Sequence, residues 1–355
     1  MPRNETTQPG DMIRVKLISR TSPEEWLHQL PHGSSAWGRC AFVFDRDARD
    51  YDWLVVYDDI PPGAGQARSQ ASEPLACDAG NSILVTTEPS SIKVYGNDYT
   101  HQFGAVLTSQ EEWALPHPRR IYSQPALHWF YGVGSRRVVP FDEIAASTLQ
   151  EGKTRDVSMV FSPKSMRHTL HWRRHEFMKG LMDALPEMDV YGRGARPLDD
   201  KADALNAYRY HVAIENFIGL HHWTEKLADA FLGLALPFYG GGPNATDYFP
   251  AESFIPVDLK DPEGAARIIR QAISNNEYEK RLPAIIEARR RILFEYNFFA
   301  VISREIEKLQ ESGSRRGGER TTIYSRHAMR KSSLAVSLRD TYGKVRARAI
   351  HLIRK

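Results

Sequence analysis

The chain has 355 residues, which is too long for one ordinary hydrophobic core and predicts two domains. Its composition, 41% hydrophobic and 26% charged, is that of a globular protein, and two cysteines, Cys40 and Cys77, are too few for a disulfide scaffold or a zinc site. The net charge of +3 divides into +10 from Ser312 to Lys355 and −7 elsewhere, which argues against a nucleic-acid enzyme with a basic body.

The first half of the chain predicts a series of short strands. The N-terminus "MPRNETTQPGDMIRVKLISR" lacks the apolar run of a secretory signal, and no later segment is apolar enough to span a bilayer. Strand-like runs follow in "MIRVKLIS", "DWLVVYDD", "SILVTTEP" and "FGAVLTSQ". Each run ends in polar or acidic residues, as strands do at the functional edge of a parallel sheet.

The second half alternates strands and helices. The runs "VSMVFSPKS", "MDVYGRG", "YHVAIEN", "LPFYGG" and "SFIPVD" read as strands, and helices are expected over 168–185, from about Thr224, and in "PEGAARIIRQAI". This alternation predicts a doubly wound α/β domain, followed by closing helices. We place the domain boundary near Gln150, which gives an N-terminal domain 1–150, a second domain 151–311 and a tail 312–355.

The tail predicts a basic amphipathic helix. Its apolar residues recur at helical spacing: Leu334, Leu338, Tyr342, Val345, Ala349 and Leu352. Basic residues surround this stripe: Arg339, Lys344, Arg346, Arg348, Arg354 and Lys355. Such a helix suits the surface of an anionic bilayer, and the alternative is a solvated helix that docks on its own protein or stays disordered.

The segment "IENFIGLHHWTEK" carries the strongest chemical signal. A strand ends at Glu215 and Asn216, and a helix begins after Thr224 with Glu225 and Lys226. A helix N-terminus next to a lysine suits a phosphate group, and Arg174 of "HWRRHEF" could hold a diphosphate as a second cation. Thr224 followed by Glu225 is also ordinary helix capping, so the residues alone leave both interpretations open.

Several spaced motifs together resemble glycosyltransferase family 10, the α-1,3/1,4-fucosyltransferases. They are "DVYGRG", "IEN", "HHWTEK", "PFYGGGP", "DYFP" and "SFIPVDL", within about Asp156 to Phe299. The resemblance implies a GT-B architecture, in which two Rossmann-like domains face a cleft. It also implies an inverting, metal-independent transfer of fucose from GDP-fucose to a glycan hydroxyl, in an α-1,3 or α-1,4 linkage and with no cofactor.

The resemblance also assigns roles to residues. Arg174 matches the arginine on the donor diphosphate, Asn216, Glu225 and Lys226 match positions that bind the nucleotide sugar, and Trp223 stands at a donor contact. Further candidates for donor binding are Arg193, Glu215 and Tyr239. In the N-terminal domain, Glu88 of "ILVTTEPSS" matches the catalytic base, whereas the residues alone favour a solvated strand-end acid.

Some bacterial members of the family end in basic amphipathic tails that attach them to the inner membrane. The tail 312–355 is similar, so we expect a cytoplasmic protein that attaches peripherally to the cytoplasmic face of a bacterial membrane and meets a lipid-linked or lipopolysaccharide acceptor there.

Several alternatives stay open. Trp223 and Phe217 depart from the family pattern, which allows a different nucleotide sugar, and a non-catalytic glycan- or membrane-binding protein is a second alternative. Asp45 and Asp47 of "FDRDARD" could hold a metal ion, although such pairs are common by chance. The histidines His168, His171 and His175, and the pair His221 and His222, lack a carboxylate or a fourth ligand, so hydrogen-bonded or solvated roles are expected for them.

Overall fold

The protein consists of two compact α/β units. The computed structural model describes residues 12–148, 152–162, 171–313 and 320–353. Unit 1 joins the chain up to Pro125 to the chain from Phe299 onward, and unit 2 runs from Ala126 to Phe298. Each unit contains its own largely parallel sheet, which confirms the α/β fold class with two Rossmann-like domains.

The strands and helices follow the predicted order along the chain. Within the described residues the strands are β1 (Ile13–Ile18), β2 (Ala36–Trp37), β3 (Cys40–Val43), β4 (Trp53–Tyr57), β5 (Ser72–Pro74), β6 (Ser82–Val85), β7 (Ala105–Thr108), β8 (Arg120–Tyr122), β9 (Arg155–Phe161), β10 (Asp189–Gly192), β11 (Tyr208–Ile214), β12 (Leu236–Gly240), β13 (Ile255–Pro256) and β14 (Thr322–Tyr324). In the same ranges the helices are α1 (Pro23–Leu27), α2 (Asn97–Thr100), α3 (Phe141–Ala146), α4 (His171–Ala184), α5 (Glu225–Leu232), α6 (Pro262–Ser274), α7 (Glu277–Phe294), α8 (Phe298–Glu311), α9 (Arg326–Lys331) and α10 (Leu334–Ile353).

Unit 1 is built on a seven-stranded sheet with the order β2-β3-β1-β4-β6-β7-β8. Only the short β2 runs antiparallel to its neighbour β3. The inner strands β4, β6 and β7 are continuous apolar runs because both faces of a parallel sheet are covered, and every residue from Trp53 to Val56 is buried. Glu88 follows β6 by three residues and therefore lies at the carboxyl edge of this sheet.

Unit 2 is built on a five-stranded, fully parallel sheet with the order β10-β9-β11-β12-β13. From β9 the chain first adds β10 on one side of the sheet and then returns to add β11 on the other side. This reversal of strand order makes the carboxyl ends of β9 and β11 a topological switch point, where ligands bind in open α/β sheets.

The division of the chain differs from the predicted boundary near Gln150. The segment before β9 packs in unit 2, where the backbone N–H groups of Phe130 and Tyr131 both donate to Asp229 Oδ1 of α5 at 3.0 Å. Helix α8 belongs to unit 1, where the ring of Phe299 packs edge-on against Phe42 with ring centroids 4.6 Å apart. The hydrophobic periodicity of the sequence locates the strands, but it carries no information about these contacts between distant segments, which determine the division into units.

The tail folds onto unit 1. Strand β14 pairs antiparallel with β5, and Ile323 is completely buried in the core of the unit. Helix α10 buries Asp340 and Ala347 on one face, so docking on the chain's own body, the predicted alternative, is observed. The predicted apolar stripe lies on the other face, where five side chains are between 59% and 77% exposed: Leu334, Leu338, Tyr342, Val345 and Leu352. Arg354 and Lys355 lie outside the described residues.

None of the described helices combines the length and the hydropathy that crossing a bilayer requires.

Candidate functional site

The candidate residues of unit 2 gather at the carboxyl edge of its sheet. Glu215 and Asn216 follow β11 directly, and Arg193 follows β10. Arg174 lies in the first turn of α4, the helix after β9, and Lys226 lies in the first turn of α5. The carboxyl ends of parallel strands meet at one edge, so the topology brings together residues that are up to 52 positions apart in the sequence.

The N-terminus of α5 is fixed by a buried carboxylate. Thr224 is the N-cap, and its side chain accepts a hydrogen bond from the backbone N–H of Lys226. Glu215 accepts from the Thr224 backbone N–H at 2.8 Å through Oε1 and from the Thr224 hydroxyl at 2.6 Å through Oε2. Glu215 is only 2% exposed, so the structure gives this candidate donor residue an internal role, which is to hold the start of α5.

Lys226 is the cation nearest to this helix start. Its Nζ lies 2.8 Å from Glu225 Oε1, 3.1 Å from Thr224 Oγ1 and 3.6 Å from Glu215 Oε2. Burial alone would lower the pKa of Lys226, but the carboxylates of Glu225 and Glu215 outweigh it and raise the pKa above its usual value. Burial likewise opposes ionisation of Glu225, yet Lys226 reverses the balance and the pKa of Glu225 is lowered to about 2. Both side chains are therefore charged at neutral pH.

Arg174 provides a second positive charge. Its Nε is buried and has no hydrogen-bond partner among the residues that the structure describes. Burial lowers the pKa of Arg174, and the carboxylates of Glu215 and Glu225 counteract this effect, which places the guanidinium in the same electrostatic neighbourhood. A buried guanidinium nitrogen without a partner is costly, and an anionic ligand would satisfy it.

His222 is a member of the site for which sequence reasoning assigned only a hydrogen-bonded role. Its Nε2 lies 3.3 Å from Asn216 Oδ1, and its ring packs edge-on against Phe217. Burial and the charge of Lys226 lower the pKa of His222 to about 3, so the ring is neutral at physiological pH. His222 stands four residues before Lys226 in the sequence, which could have marked it as a member of the site. Its contact with Asn216 could not be foreseen, because it depends on how the loop between the two residues folds.

Trp223 and Tyr239 lie inside the unit. Trp223 is 4% exposed and packs edge-on against the rings of Tyr248, Phe249 and Tyr296. Tyr239 is 3% exposed, and its hydroxyl accepts a hydrogen bond from the backbone N–H of Gly242 at 3.0 Å. Both were candidates for donor contact, and the structure places both side chains in the interior of unit 2.

Gly241 explains part of the glycine run after β12. A Cβ atom at this position would lie 2.2 Å from Tyr239 Oη and 2.6 Å from Glu215 Cγ. Real Cβ atoms do not approach other atoms so closely, so only glycine fits between the two buried side chains. Close packing of the backbone against these two side chains therefore requires glycine at this position.

The remaining candidates lie on loops. Arg193 is exposed after β10, between Gly192 and Gly194, which both adopt positive φ angles. Glu88 is partly buried in unit 1, and its backbone carbonyl accepts a hydrogen bond from Gln110 Nε2 at 2.7 Å. This hydrogen bond helps to hold the backbone at Glu88 in place.

The alternative metal site gains no support from geometry. Asp45 Oδ1 accepts a hydrogen bond from the backbone N–H of Asp47 at 2.9 Å, which is a local turn interaction. Over residues 12–148, 152–162, 171–313 and 320–353, no three His, Cys, Asp or Glu side chains come together in a way that could hold a metal ion. Of the helical histidines, His168 and the side chain of His171 lie outside the described residues.

Comparison with known proteins identifies the same part of the chain. Residues 150–281 match the family model described as glycosyltransferase family 10 (fucosyltransferase) C-terminal domain. The alpha-(1,3)-fucosyltransferase FucT of Helicobacter pylori is 32% identical over 72 residues, which are 20% of this chain and 15% of the relative. Human 4-galactosyl-N-acetylglucosaminide 3-alpha-L-fucosyltransferase 9 is 31% identical over 97 residues, 26% of this chain and 27% of the relative. The matched region thus spans less than a third of the length of these relatives.

Among solved structures, crystal structures of an alpha1,3-fucosyltransferase, one of them with GDP-fucose, match with TM-scores of 0.48 and 0.46. The sequence identities are 16% and 15%, and the matches cover 83% and 82% of this chain and 94% and 93% of those chains.

Proposed function

Because residues 150–281 match the model of glycosyltransferase family 10, we propose that the chain is a member of this family and an inverting fucosyltransferase. It transfers fucose from GDP-fucose to a hydroxyl group of a glycan, in an α-1,3 or α-1,4 linkage. The observation that carries this proposal is the pair of cations, Arg174 and Lys226, beside the capped N-terminus of α5 at the switch point of the unit 2 sheet.

The two cations and the helix start serve the leaving group. As the bond between the anomeric carbon and the phosphate oxygen breaks, negative charge develops on the diphosphate. The ammonium of Lys226, the guanidinium of Arg174 and the partial positive charge at the N-terminus of α5 stabilise this charge. Glu215 and Thr224 hold the start of α5 in advance, and Lys226 Nζ donates to Thr224 Oγ1, so this part of the site needs little reorganisation at the moment of transfer.

Asn216 and Glu225 bind the neutral parts of the donor. The carboxylate of Glu225 is ionised at neutral pH and accepts hydrogen bonds from hydroxyl or exocyclic N–H groups. The neutral ring of His222 beside Asn216 fixes the orientation of that amide. Asn216 and Glu225 thus select the nucleotide sugar, while Arg174 and Lys226 hold its charge.

Glu88 takes the proton from the acceptor. In a single inverting displacement, the acceptor oxygen attacks the anomeric carbon while one carboxylate accepts the hydroxyl proton and the diphosphate leaves from the opposite face. Its resemblance to the family base supports this role, as does its position at the carboxyl edge of the unit 1 sheet.

Two residues depart from the family pattern, and the burial of both side chains favours GDP-fucose over another nucleotide sugar as the donor. Phe217 and Trp223 are 7% and 4% exposed, so both substitutions change the interior of the unit rather than its accessible surface. A non-catalytic binding protein would retain the fold but would have no need for a leaving-group clamp.

Calorimetric titration with GDP and UDP, in the presence of a chelator, tests the donor site. We expect GDP to bind, UDP to bind more weakly, and Lys226→Ala to weaken GDP binding by roughly a hundredfold, the effect of removing one preorganised charge. The matched control is Lys179→Ala, which removes an exposed lysine from α4. A preference for UDP, or binding that requires a divalent ion, would refute the donor assignment.

We further propose that α10 attaches the protein peripherally to an anionic membrane surface, such as the cytoplasmic face of a bacterial inner membrane, where a lipid-linked glycan acceptor is available. The exposed stripe on α10 supports this proposal, as do Arg346 and Arg348, which are exposed basic residues on the two flanks of that stripe. Each basic residue close to an anionic bilayer contributes roughly 1 kcal/mol of attraction.

Substitution is a cleaner test of this surface than deletion of the tail, because Ile323 belongs to the core of unit 1. We expect Leu338→Glu with Val345→Glu to abolish sedimentation with phosphatidylserine vesicles and to leave the melting temperature unchanged. Ile286→Glu is the control, since it places the same charge on an exposed apolar residue of α7. Unchanged binding of the double variant would refute the proposal.

A further inference from the structure

The loop that carries Glu88 is held at several points by unit 1. We call residues Thr86–Lys93 the Glu88 loop. On one side, the Thr87 hydroxyl donates to Asp58 Oδ1 at 2.9 Å, and Lys93 Nζ contacts both carboxylate oxygens of Asp58 at 2.7 and 2.6 Å. Asp58 has a φ angle of 73°, a strained conformation for a residue with a side chain, so the surrounding contacts determine its position.

A glutamine fixes the middle of the Glu88 loop. Gln110 Nε2 donates to the Glu88 carbonyl at 2.7 Å and to the Lys93 carbonyl at 2.9 Å. Inside the loop, the N–H groups of Ile92 and Lys93 both donate to the Pro89 carbonyl at 3.0 Å. These hydrogen bonds fix the backbone on both sides of Pro89, and Ser90 provides a further attachment point.

Ser90 is held by two partners, and one of them comes from the C-terminal helix. Its Oγ lies 2.7 Å from Glu111 Oε2 and 2.9 Å from Nε2 of His351 in α10, and Ser90 is buried. A serine hydroxyl has one proton, and an ionised carboxylate can only accept. Ser90 therefore donates to Glu111, and the Nε2–H group of His351 donates to Ser90.

His351 does not hold α10 in place by itself. Its ring packs edge-on against Trp113, with centroids 5.3 Å apart. Elsewhere on the helix, Arg339 donates to both carboxylate oxygens of Asp98 at 3.0 and 2.7 Å, and the buried Asp340 pairs with Arg330 of α9 at 3.9 Å. Because these contacts are independent of Ser90, replacing His351 removes one hydrogen bond from the Glu88 loop without detaching the helix.

We propose that His351 is a positioning residue for Glu88: it completes a hydrogen-bonded chain from α10 through Ser90 to Glu111 that fixes the Glu88 loop. This inference rests on the proposed function, because it assigns to the C-terminal helix a part in the transfer step. The helix then has two separate faces, an outer apolar stripe and an inner face that orders the loop two residues beyond Glu88.

The test uses the full chain and three variants of the hydrogen-bonded pair. His351→Phe keeps a ring against Trp113 but removes the donor, His351→Gln restores an N–H donor, and Ser90→Ala removes the hydroxyl. We expect His351→Phe to lower kcat for fucosyl transfer roughly ten- to a hundredfold, since small displacements of a catalytic group are costly. KM for the donor and the affinity for GDP should stay the same, because those depend on unit 2.

Recovery of kcat in a rescue variant, and the kcat of a double variant, distinguish a positioning role of His351 from a general disturbance of the fold. His351→Gln should recover most of kcat, and His351→Phe combined with Ser90→Ala should be no slower than the slower single variant, because both interrupt one chain. The control is His327→Phe in α9, which makes the same change of side chain elsewhere in the tail. Full kcat in His351→Phe, failure of the glutamine to rescue, or additive losses would each overturn the proposal.

Hydrogen exchange separates this proposal from the proposed function. Backbone amides of the Glu88 loop should exchange faster in His351→Phe than in the wild type, whereas amides of α5 should not change. If the wild-type protein shows no fucosyl transfer, the proposed function fails, and unchanged exchange in the Glu88 loop refutes the positioning role independently.

Discussion

The ion pair between Lys226 and Glu225 predicts a stability difference that depends on pH. Lys226→Met keeps much of the apolar stem of Lys226 but removes the ammonium that lies 2.8 Å from Glu225 Oε1. In the folded wild type the pKa of Glu225 is lowered from 4.5 to about 2. A difference of about 2.5 units corresponds to about 3 kcal/mol of unfolding free energy at neutral pH. Both side chains are largely buried, so solvent screening reduces this value little.

The sign of the pH dependence follows from the direction of the shift. A carboxyl group with a lowered folded pKa stabilises the protein above its unfolded pKa of 4.5, and this contribution is lost as the pH falls toward the folded pKa of about 2. At pH 3.5, one unit below the unfolded value, about 1.4 kcal/mol of it should already be lost. We therefore expect Lys226→Met to be less stable than the wild type by about 3 kcal/mol at pH 7, and the gap to narrow by at least about 1.4 kcal/mol at pH 3.5.

Urea-dependent hydrogen exchange of peptides from α5 measures the difference in unfolding free energy between the wild type and Lys226→Met for unit 2 alone. Lys179→Met is the control, since it removes the ammonium of an exposed lysine in α4. A gap that stays constant between pH 7 and pH 3.5, or the absence of destabilisation at pH 7, would show that the pair does not determine the charge state of Glu225.

Other substitutions test the remaining parts of the site. Glu88→Gln should lower kcat by roughly a hundred- to ten-thousandfold and leave calorimetric GDP binding unchanged, and a loss of GDP affinity would contradict its role as base. Arg174→Gln should weaken GDP binding more than it weakens guanosine binding, because the guanidinium serves the diphosphate; equal losses would argue for a contact to the nucleoside. Gly241→Ala should lower the unfolding free energy by roughly 1–3 kcal/mol because its Cβ would overlap Tyr239 and Glu215, whereas Gly152→Ala, with no atom within 4 Å of the new Cβ, should have little effect in thermal denaturation.

The sequence predicted the elements whose signal is local. The apolar runs predicted as strands are β1, β4, β6, β7 and β9 to β13, and Thr224 is the N-cap of α5. Such elements can be recognised from the sequence because a buried parallel strand is largely apolar and because a helix cap needs a side-chain oxygen at one position. The α4 helix ends one residue before the predicted end at Leu185, within the usual uncertainty of helix boundaries.

Features that depend on distant partners could not be predicted. Strand β14 contacts β5 about 250 residues earlier, with Ile323 opposite Glu73, and nothing in three residues of sequence identifies such a partner. The same limitation applies to candidate donor residues. Glu215, Trp223 and Tyr239 were candidates for donor binding, and only the packing shows that all three side chains are buried among their neighbours.

Charge balance explains why the site combines carboxylates with its cations. Burial disfavours an isolated ammonium, and Lys226 remains charged because Glu225 and Glu215 lie beside it. Without those carboxylates the two positive charges, Arg174 and Lys226, would lack a counterion, and the charge of Arg174 lowers the pKa of Lys226. Under the proposed function, we expect a bound diphosphate to replace the carboxylates as counterion and so to leave Glu225 available to accept hydrogen bonds from the nucleoside. Recognition of the neutral part of the donor should then be strongest once the charged part is bound, and GDP should bind more tightly than the sum of contacts to guanosine and phosphate would suggest.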